Sequence, residues 1–272
     1  MIRLDSELVM RRLAPGRERA KEYIKSGKVS VNGVVQLKSS FLVSSDDEIT
    51  CTAEEKYVGR GGLKLEKAMK FFDLSLSDAV CVDLGASTGG FTDCMLQNGA
   101  KKVYSIDVGH GQLAKKLIDD SRVVNIEGVN VKDVTPDTIG GVTPDFVCAD
   151  LSFISVRYAA HAAYRLLGAG GRAVMLIKPQ FEAGRHNISK GGIVKDKEVH
   201  KSVLSDTVNY ISGIGFSVRS ITFSPIRGGD GNIEYLALVV KESVSSAVLD
   251  YRQIVSDAFG SVKSDKEKSV KL

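Results

Sequence analysis

Val82-Asp83-Leu84-Gly85-Ala86-Ser87-Thr88-Gly89-Gly90-Phe91 is the stretch on which the reading of this 272-residue chain turns. It lies between an apolar run of strand length, Ala79 to Leu84, and a segment of helical spacing, Gly90 to Asn98, that stops at Gly99. Small residues at such a strand–helix turn let the backbone bend sharply and approach a ligand closely. The nearest dinucleotide template is G-x-G-x-x-G, and Ser87 stands at its middle position, so the match is incomplete. Asp107 ends the next strand, 22 residues after Gly85, where an acid can bind ribose hydroxyls. A carboxylate at Asp83 would repel a pyrophosphate but suits a sulfonium and an ammonium. The expected cofactor is therefore S-adenosylmethionine rather than NAD. Its expected contacts are Asp83, Gly85, Ala86, Ser87, Thr88, Gly89, Gly90, Phe91, Asp107 and Asp150, with Asn130 beyond the third strand.

Working outward, strands and helices alternate. Strands are expected at Lys102 to Asp107, Arg122 to Ile126, Asp145 to Ala149 and Arg172 to Ile177. Helices are expected at Gln112 to Ile118, Ser155 to Leu167 and Lys195 to Ile211. Phe216 to Phe223 and Ile233 to Lys241 read as strands that pair antiparallel, and Val248 to Phe259 as a last amphipathic helix before a charged, frayed tail. This pattern predicts an α/β fold, a Rossmann-like, doubly wound sheet, which with S-adenosylmethionine as the expected cofactor would be a methyltransferase sheet. In open sheets of this kind the carboxyl ends of the strands form the ligand crevice. Asp150 and Lys178 each follow a strand there, Glu234 lies at the start of another, and Lys64 follows the glycine-rich, basic loop Gly59-Arg60-Gly61-Gly62. Two lysines and two acids in one crevice suit removal of a proton from a poor nucleophile, because burial and neighbouring charges tune an amine toward that task. Taken singly, each is as readily an ordinary strand-end ion pair.

Ahead of the sheet stands a smaller α+β segment. Asp5 is placed to cap a short first helix, and a second runs from Arg17 to Ser26 before Gly27. Val29 to Val31 and Val34-Val35 flank Asn32-Gly33, a strong hairpin signal because the tight turn needs positive φ at both positions. Residues 1–40 carry nine Lys/Arg against four Asp/Glu, so this end is +5 in a chain whose net charge is +4. A basic end on a neutral body points to a polyanion partner. Arg3, Arg11, Arg12, Arg17, Arg19 and Lys21 are the expected RNA contacts there. Arg60, Arg185 and Lys190 are expected to supply more from the catalytic side. Expected domains are 1–54 for RNA binding, a 55–58 linker, 59–245 for catalysis, and a 246–272 helix and tail.

Other classes fit less well. No run reaches the 18 or so apolar residues of a membrane span, and the first residues lack the apolar core of a signal peptide, so a cytoplasmic protein is expected. Cys51, Cys81, Cys94 and Cys148 form no C-x-x-C pair and the four histidines are scattered; buried thiols and no metal site are expected.

On the segments Gly27 to Gly33, Gly59 to Leu65, Asp83 to Thr92, Ala149 to Ile154, Lys178 to Phe181 and Gly231 to Tyr235, the chain resembles the TlyA family of ribosomal RNA 2′-O-methyltransferases, historically labelled hemolysins. The resemblance implies an alpha-L RNA-binding domain followed by an FtsJ-type methyltransferase domain. It also implies a catalytic tetrad of Lys64, Asp150, Lys178 and Glu234 with Lys178 as the central base, and cytidines of ribosomal RNA as targets. It further implies that Glu55 to Val58 rearranges on RNA binding. A non-catalytic ribosome-assembly factor and a membrane-lytic protein are the alternatives. Subunit preference and oligomeric state are not legible in the sequence.

Overall fold

The computed structural model describes the chain except Pro15, Glu54, residues 271–272 and the side chains of 262–270. It divides into two compact units, Met1–Lys56 and Tyr57–Leu272.

The first unit contains β1 (Ile2–Arg3), α1 (Leu4–Met10), α2 (Arg17–Lys25), β2 (Val29–Val31), β3 (Val34–Val35), β4 (Leu42–Val43) and β5 (Ile49–Cys51). β2 is the centre of a three-stranded antiparallel sheet in the order β3-β2-β5, and β1 pairs with β4. Asn32 and Gly33 both have positive φ, 50° and 79°, as the hairpin turn requires. The Asn32 side chain also pins the turn: it donates to Asp47 and accepts from the Glu48 amide. Leu4, Leu8, Ile24, Val29 and Val43 fill the small core. Asp5 is not the cap of α1. It sits inside the first turn, fully buried, because its carboxylate is taken by two guanidiniums, Arg3 and Arg17.

The second unit is built around a seven-stranded sheet. Its elements are α3 (Gly61–Phe71), β6 (Val80–Leu84), α4 (Gly90–Gln97), β7 (Lys102–Asp107), α5 (Lys115–Ile118), β8 (Val123–Glu127), β9 (Phe146–Ala149), α6 (Val156–Leu166), β10 (Arg172–Ile177), α7 (Pro179–Glu182), α8 (Lys197–Ile214), β11 (Phe216–Phe223), β12 (Tyr235–Lys241) and α9 (Tyr251–Val270). The strand order is β11-β12-β10-β9-β6-β7-β8, and β12 is the strand that pairs antiparallel with both its neighbours. Period-2 alternation divides the core between the two faces. Ala173, Met175 and Ile177 of β10 pack with α6, α8 and α9, while Val174 and Leu176 pack with α3 and α4. This is the doubly wound sheet that the strand–helix alternation predicts.

Several local expectations are revised. The glycines before Lys64 are not a flexible loop: α3 begins at Gly61. A Cβ on Gly62 would stand 2.3 Å from the Tyr57 ring, and one on Gly90 would stand 2.9 Å from the Gly62 amide nitrogen. Close packing, rather than mobility, demands glycine there. α5 starts at Lys115, not Gln112, because the Ala114 amide donates to Thr88 O in the glycine-rich turn instead of into a helix. The segment after Lys178 holds the short helix α7, and α8 runs on to Ile214, where Gly215 stops it at φ 113°. The tail expected to fray, 261–272, falls mostly outside the described side chains.

Candidate active site

Register brings the charged residues to one edge of the sheet. Ile177 pairs with Tyr235 across β10 and β12, so Lys178 and Glu234, the next residues outward, leave the sheet side by side. Asp150 follows Ala149, whose β10 partner is Met175, and emerges at the same edge. α3 lies over that edge and contributes Lys64 from its first turn.

The four side chains form one chain of ion pairs. Glu234 Oε2 is 2.7 Å from Lys64 Nζ. Lys64 Nζ donates to Asp150 Oδ2 at 3.1 Å, and Asp150 Oδ1 is 2.6 Å from Lys178 Nζ. Lys178 Nζ also donates to Ser152 Oγ at 2.9 Å. Both lysines are 7% exposed and Glu234 2%, so little water screens these contacts. Burial disfavours charge on Lys64, but Asp150 and Glu234 outweigh it and hold its pKa above the ordinary lysine value. Burial likewise works against the charged form of Asp150, and Lys64 and Lys178 overcome it and lower the pKa. The two amines are therefore unequal: Lys64 is shared by two carboxylates, whereas Lys178 has one carboxylate and a hydroxyl.

This cluster lines a cavity of about 340 Å³ together with Gly85, Ala86, Ser87, Thr88, Gly90 and Phe91 of the glycine-rich turn. A second cavity, about 430 Å³, shares Gly85, Ser87, Asp150 and Ser152 with it and extends past Asp107 and Asn130 between Ile106, Val131 and Leu151. The turn is shaped for close approach. Gly85 has φ 83°, and a Cβ there would lie 2.8 Å from the Asp150 carbonyl oxygen. Ser87, at φ 48°, gives its amide to Asp107 Oδ2 at 2.8 Å, and the Gly109 amide donates to Oδ1 at 2.7 Å. Asn130 Oδ1 accepts from the Lys132 amide at the rim.

Two residues of the turn stand apart from the cavities. Asp83 is fully buried behind it, accepting from the Thr92 amide and hydroxyl at 2.9 and 2.7 Å, and burial pushes its pKa up to about 6. It anchors the start of α4 and faces neither cavity, so the idea of a carboxylate aimed at a sulfonium does not fit its position. Gly89 turns the chain at φ 95°, and a Cβ there would meet Leu117 at 2.2 Å.

Most of the basic residues expected to meet RNA are engaged within the protein. In the first unit Arg3 and Arg17 hold Asp5. Arg11 pairs with Glu7 and donates to the carbonyls of Ser44, Ser45 and Asp47. Arg19 pairs with Glu22 and Glu55, and Lys21 with Glu18. Arg12 is exposed at φ 59°. Arg60 lines the first cavity and donates to Arg227 O at 2.7 Å. Arg185 and Lys190 are exposed on the segment after α7 and line neither cavity.

Three features escaped the sequence reading. Ser152 contacts Lys178 and lines both cavities. Phe153 is 86% exposed at φ 67°, its ring 5.4 Å from that of Phe181, on the rim of the second cavity. The turn through Gly228 crosses Glu234, where a Cβ would lie 2.6 Å from Oε1. Their only signal in the sequence is proximity to Asp150 and Glu234.

Comparison with known proteins gives the family. A family model described as FtsJ-like methyltransferase matches residues 57–241, and one described as S4 domain matches residues 2–49. YqxC of Bacillus subtilis, named as an rRNA methyltransferase, is 46% identical over 235 residues, 86% of this chain and 84% of that protein. The 16S/23S rRNA (cytidine-2'-O)-methyltransferase TlyA of Mycobacterium tuberculosis is 39% identical over 235 residues, 86% of this chain and 87% of that one. A solved structure from Streptococcus thermophilus, labelled a hemolysin, superposes with a TM-score of 0.81 at 41% identity and covers 97% of this chain and 98% of its own.

Proposed function

The chain belongs to the FtsJ-like methyltransferase family and carries an S4 domain at its N-terminal end, and from that premise we propose that it transfers a methyl group from S-adenosylmethionine to the 2′-hydroxyl of a cytidine in ribosomal RNA. The observation that carries the reading is the buried Lys64–Asp150–Lys178–Glu234 cluster opening into the cavity under the glycine-rich turn. Bound S-adenosylmethionine supplies an electrophilic methyl group on a cationic sulfur. The residues fit that cofactor: the second cavity offers Asp107 and Asn130 at its polar end and apolar walls for a purine, and Gly85 lets the turn pack directly against the Asp150 backbone beside it.

Lys178 is the base. A ribose hydroxyl must lose its proton as its oxygen attacks, and only a neutral amine can take that proton. Lys64, held by two carboxylates, is the fixed ammonium of the pair and the suitable donor to the reacting oxygen. Lys178, with one carboxylate and Ser152, is the amine that exchanges a proton. As the ribose oxygen attacks, its hydroxyl proton would pass to Lys178 Nζ, and Asp150 Oδ1 at 2.6 Å would balance the ammonium that results. Glu234 keeps Lys64 charged and in place. Phe153 offers an exposed ring for the target base at the rim. The first unit supplies sequence-independent attachment to RNA.

The test is incubation with labelled S-adenosylmethionine and separated, unmodified ribosomal subunits beside a Lys178→Ala control. Label enters the RNA of one or both subunits and falls at least about 100-fold in the control, the lower range for loss of a positioned base. Absence of transfer to either subunit with cofactor binding intact overturns the catalytic reading and favours an assembly factor.

A further inference from the structure

Beside the reaction cavity lies a groove of about 450 Å³ to which the functions above assign nothing. It runs between the outer face of α3 and the segment that follows β11. Leu63, Phe71, Pro225 and Ile226 line it with apolar surface, Lys67 and Lys70 carry amines into it, and Glu66 adds one carboxylate. Ile226 lines the reaction cavity as well, so the two spaces meet. Lys67 is one helical turn from Lys64, about 4.5 Å along the axis. Phe71 is 57% exposed, its ring meeting that of Phe72 edge-on at 5.4 Å.

The charges in the groove are unbalanced. Lys70 pairs with Glu66. Among the described residues no carboxylate pairs with Lys67; its Nζ sits 3.4 Å from the centre of the Phe223 ring. That ring face is a weak substitute for an anion. Burial pushes the pKa of Lys67 down to about 8, a sign that its ammonium is held without adequate compensation. A flat apolar floor with an under-compensated cation is the combination that takes a base on one side and a phosphate on the other.

We propose that this groove receives a nucleotide of the substrate RNA next to the one being methylated, with its base on the Phe71–Ile226 floor and a phosphate on Lys67. The proposal rests on the functional reading above. It makes α3 a ruler: Lys64 faces the reacting ribose, and Lys67, one turn on, fixes the neighbouring backbone.

The experiment uses the full chain and unmodified ribosomal subunits, and measures RNA KM, S-adenosylmethionine Kd and the dependence of RNA binding on salt. Lys67→Ala raises KM for RNA roughly tenfold, the loss of one charge-assisted contact. It leaves the cofactor Kd unchanged and reduces the slope of log K against log[salt] by about 0.7 to 1. Lys67→Arg restores both, and Phe71→Ala raises KM while leaving the salt slope at the parent value. An unchanged KM and slope in Lys67→Ala overturns the proposal, as does an equal loss of cofactor binding, which marks a merely structural role. RNA binding is read by fluorescence anisotropy without methyl transfer. If the parent binds RNA with this Lys67 dependence but transfers no methyl group, the functional reading falls and the groove stands.

Discussion

Each unit of this protein contains a carboxylate that holds two cations, and the two clusters differ in how far those cations are buried. In the first unit Asp5 is fully buried, but Arg3 and Arg17 around it remain 44% and 55% exposed. In the second unit Asp150 holds Lys64 and Lys178, and both cations are themselves buried, 9% and 8% exposed. Water can solvate the outer faces of the two guanidiniums. The Asp5 cluster therefore fixes their orientation while leaving them able to meet a phosphate. No such relief exists for the two amines in the crevice. Each must be balanced by carboxylates, and they are balanced unequally, Lys64 by two and Lys178 by one. Burial of the cation, not the number of charges, separates the two clusters.

Substituting the central carboxylates is the sharpest way to break the comparison. Asp150→Asn leaves two buried ammoniums short of one charge. It is expected to cost about 3 kcal/mol, a fall in Tm of roughly 6–12 °C for a unit of this size. Methyl transfer is expected to fall at least about 100-fold. Thermal unfolding and labelled transfer check both numbers. A variant as stable as the parent would mean that water already compensates the crevice, and the contrast would collapse.

Asp5→Asn is the matched change in the first unit, and its expected cost is smaller, about 1 kcal/mol, because solvent screens the arginines. It carries a pH signature. Arg3 foremost, with Arg17, holds the Asp5 pKa down to about 2 against an ordinary 3.8. The contribution is therefore present above about pH 4 and lost as pH falls through about 2. Denaturant unfolding of parent and variant should differ at neutral pH and converge across that window. Equal differences at both ends would remove Asp5 as the source.

The smallest effect is expected at Asp83, the acid that anchors the cofactor turn from behind. In Asp83→Asn the side-chain amide oxygen would still accept from Thr92, so S-adenosylmethionine affinity should change by no more than about threefold, measured by calorimetry. Burial raises the pKa of Asp83 to about 6. The parent therefore loses stability as pH rises from about 4 through 6, and the variant should gain on it over that interval. A large loss of affinity at unchanged stability would put Asp83 in contact with the ligand after all.

The alternation of strand and helix signals after residue 79 suffices for the doubly wound sheet, because period and turn chemistry are local properties that survive in one dimension. Asn32-Gly33 specifies its hairpin for the same reason. Local reasoning fails where packing sets the outcome. Gly61 and Gly62 read as a mobile loop because glycine is permissive, yet they belong to a helix pressed against Tyr57 and Gly90. Helix α5 loses its first turn to a hydrogen bond from Ala114 to Thr88.

For the site, strand-end position puts Asp150, Lys178 and Glu234 within the sequence's reach, whereas Lys64, which stands on α3 rather than on a strand, is reached through the glycine-rich segment before it and the family resemblance. Which amine has two carboxylates and which has one, that Asp83 turns away from the ligand space, and that the N-terminal arginines are already paired are decided by contacts between residues up to 170 positions apart in Lys64 and Glu234. Charge pairing and burial depend on distances between atoms that only the packed chain brings together. Periodicity and composition could name the elements and the chemistry. The tertiary structure alone decided which charges are solvated, which are shared, and which, at Lys67, lie against an aromatic ring instead of a carboxylate.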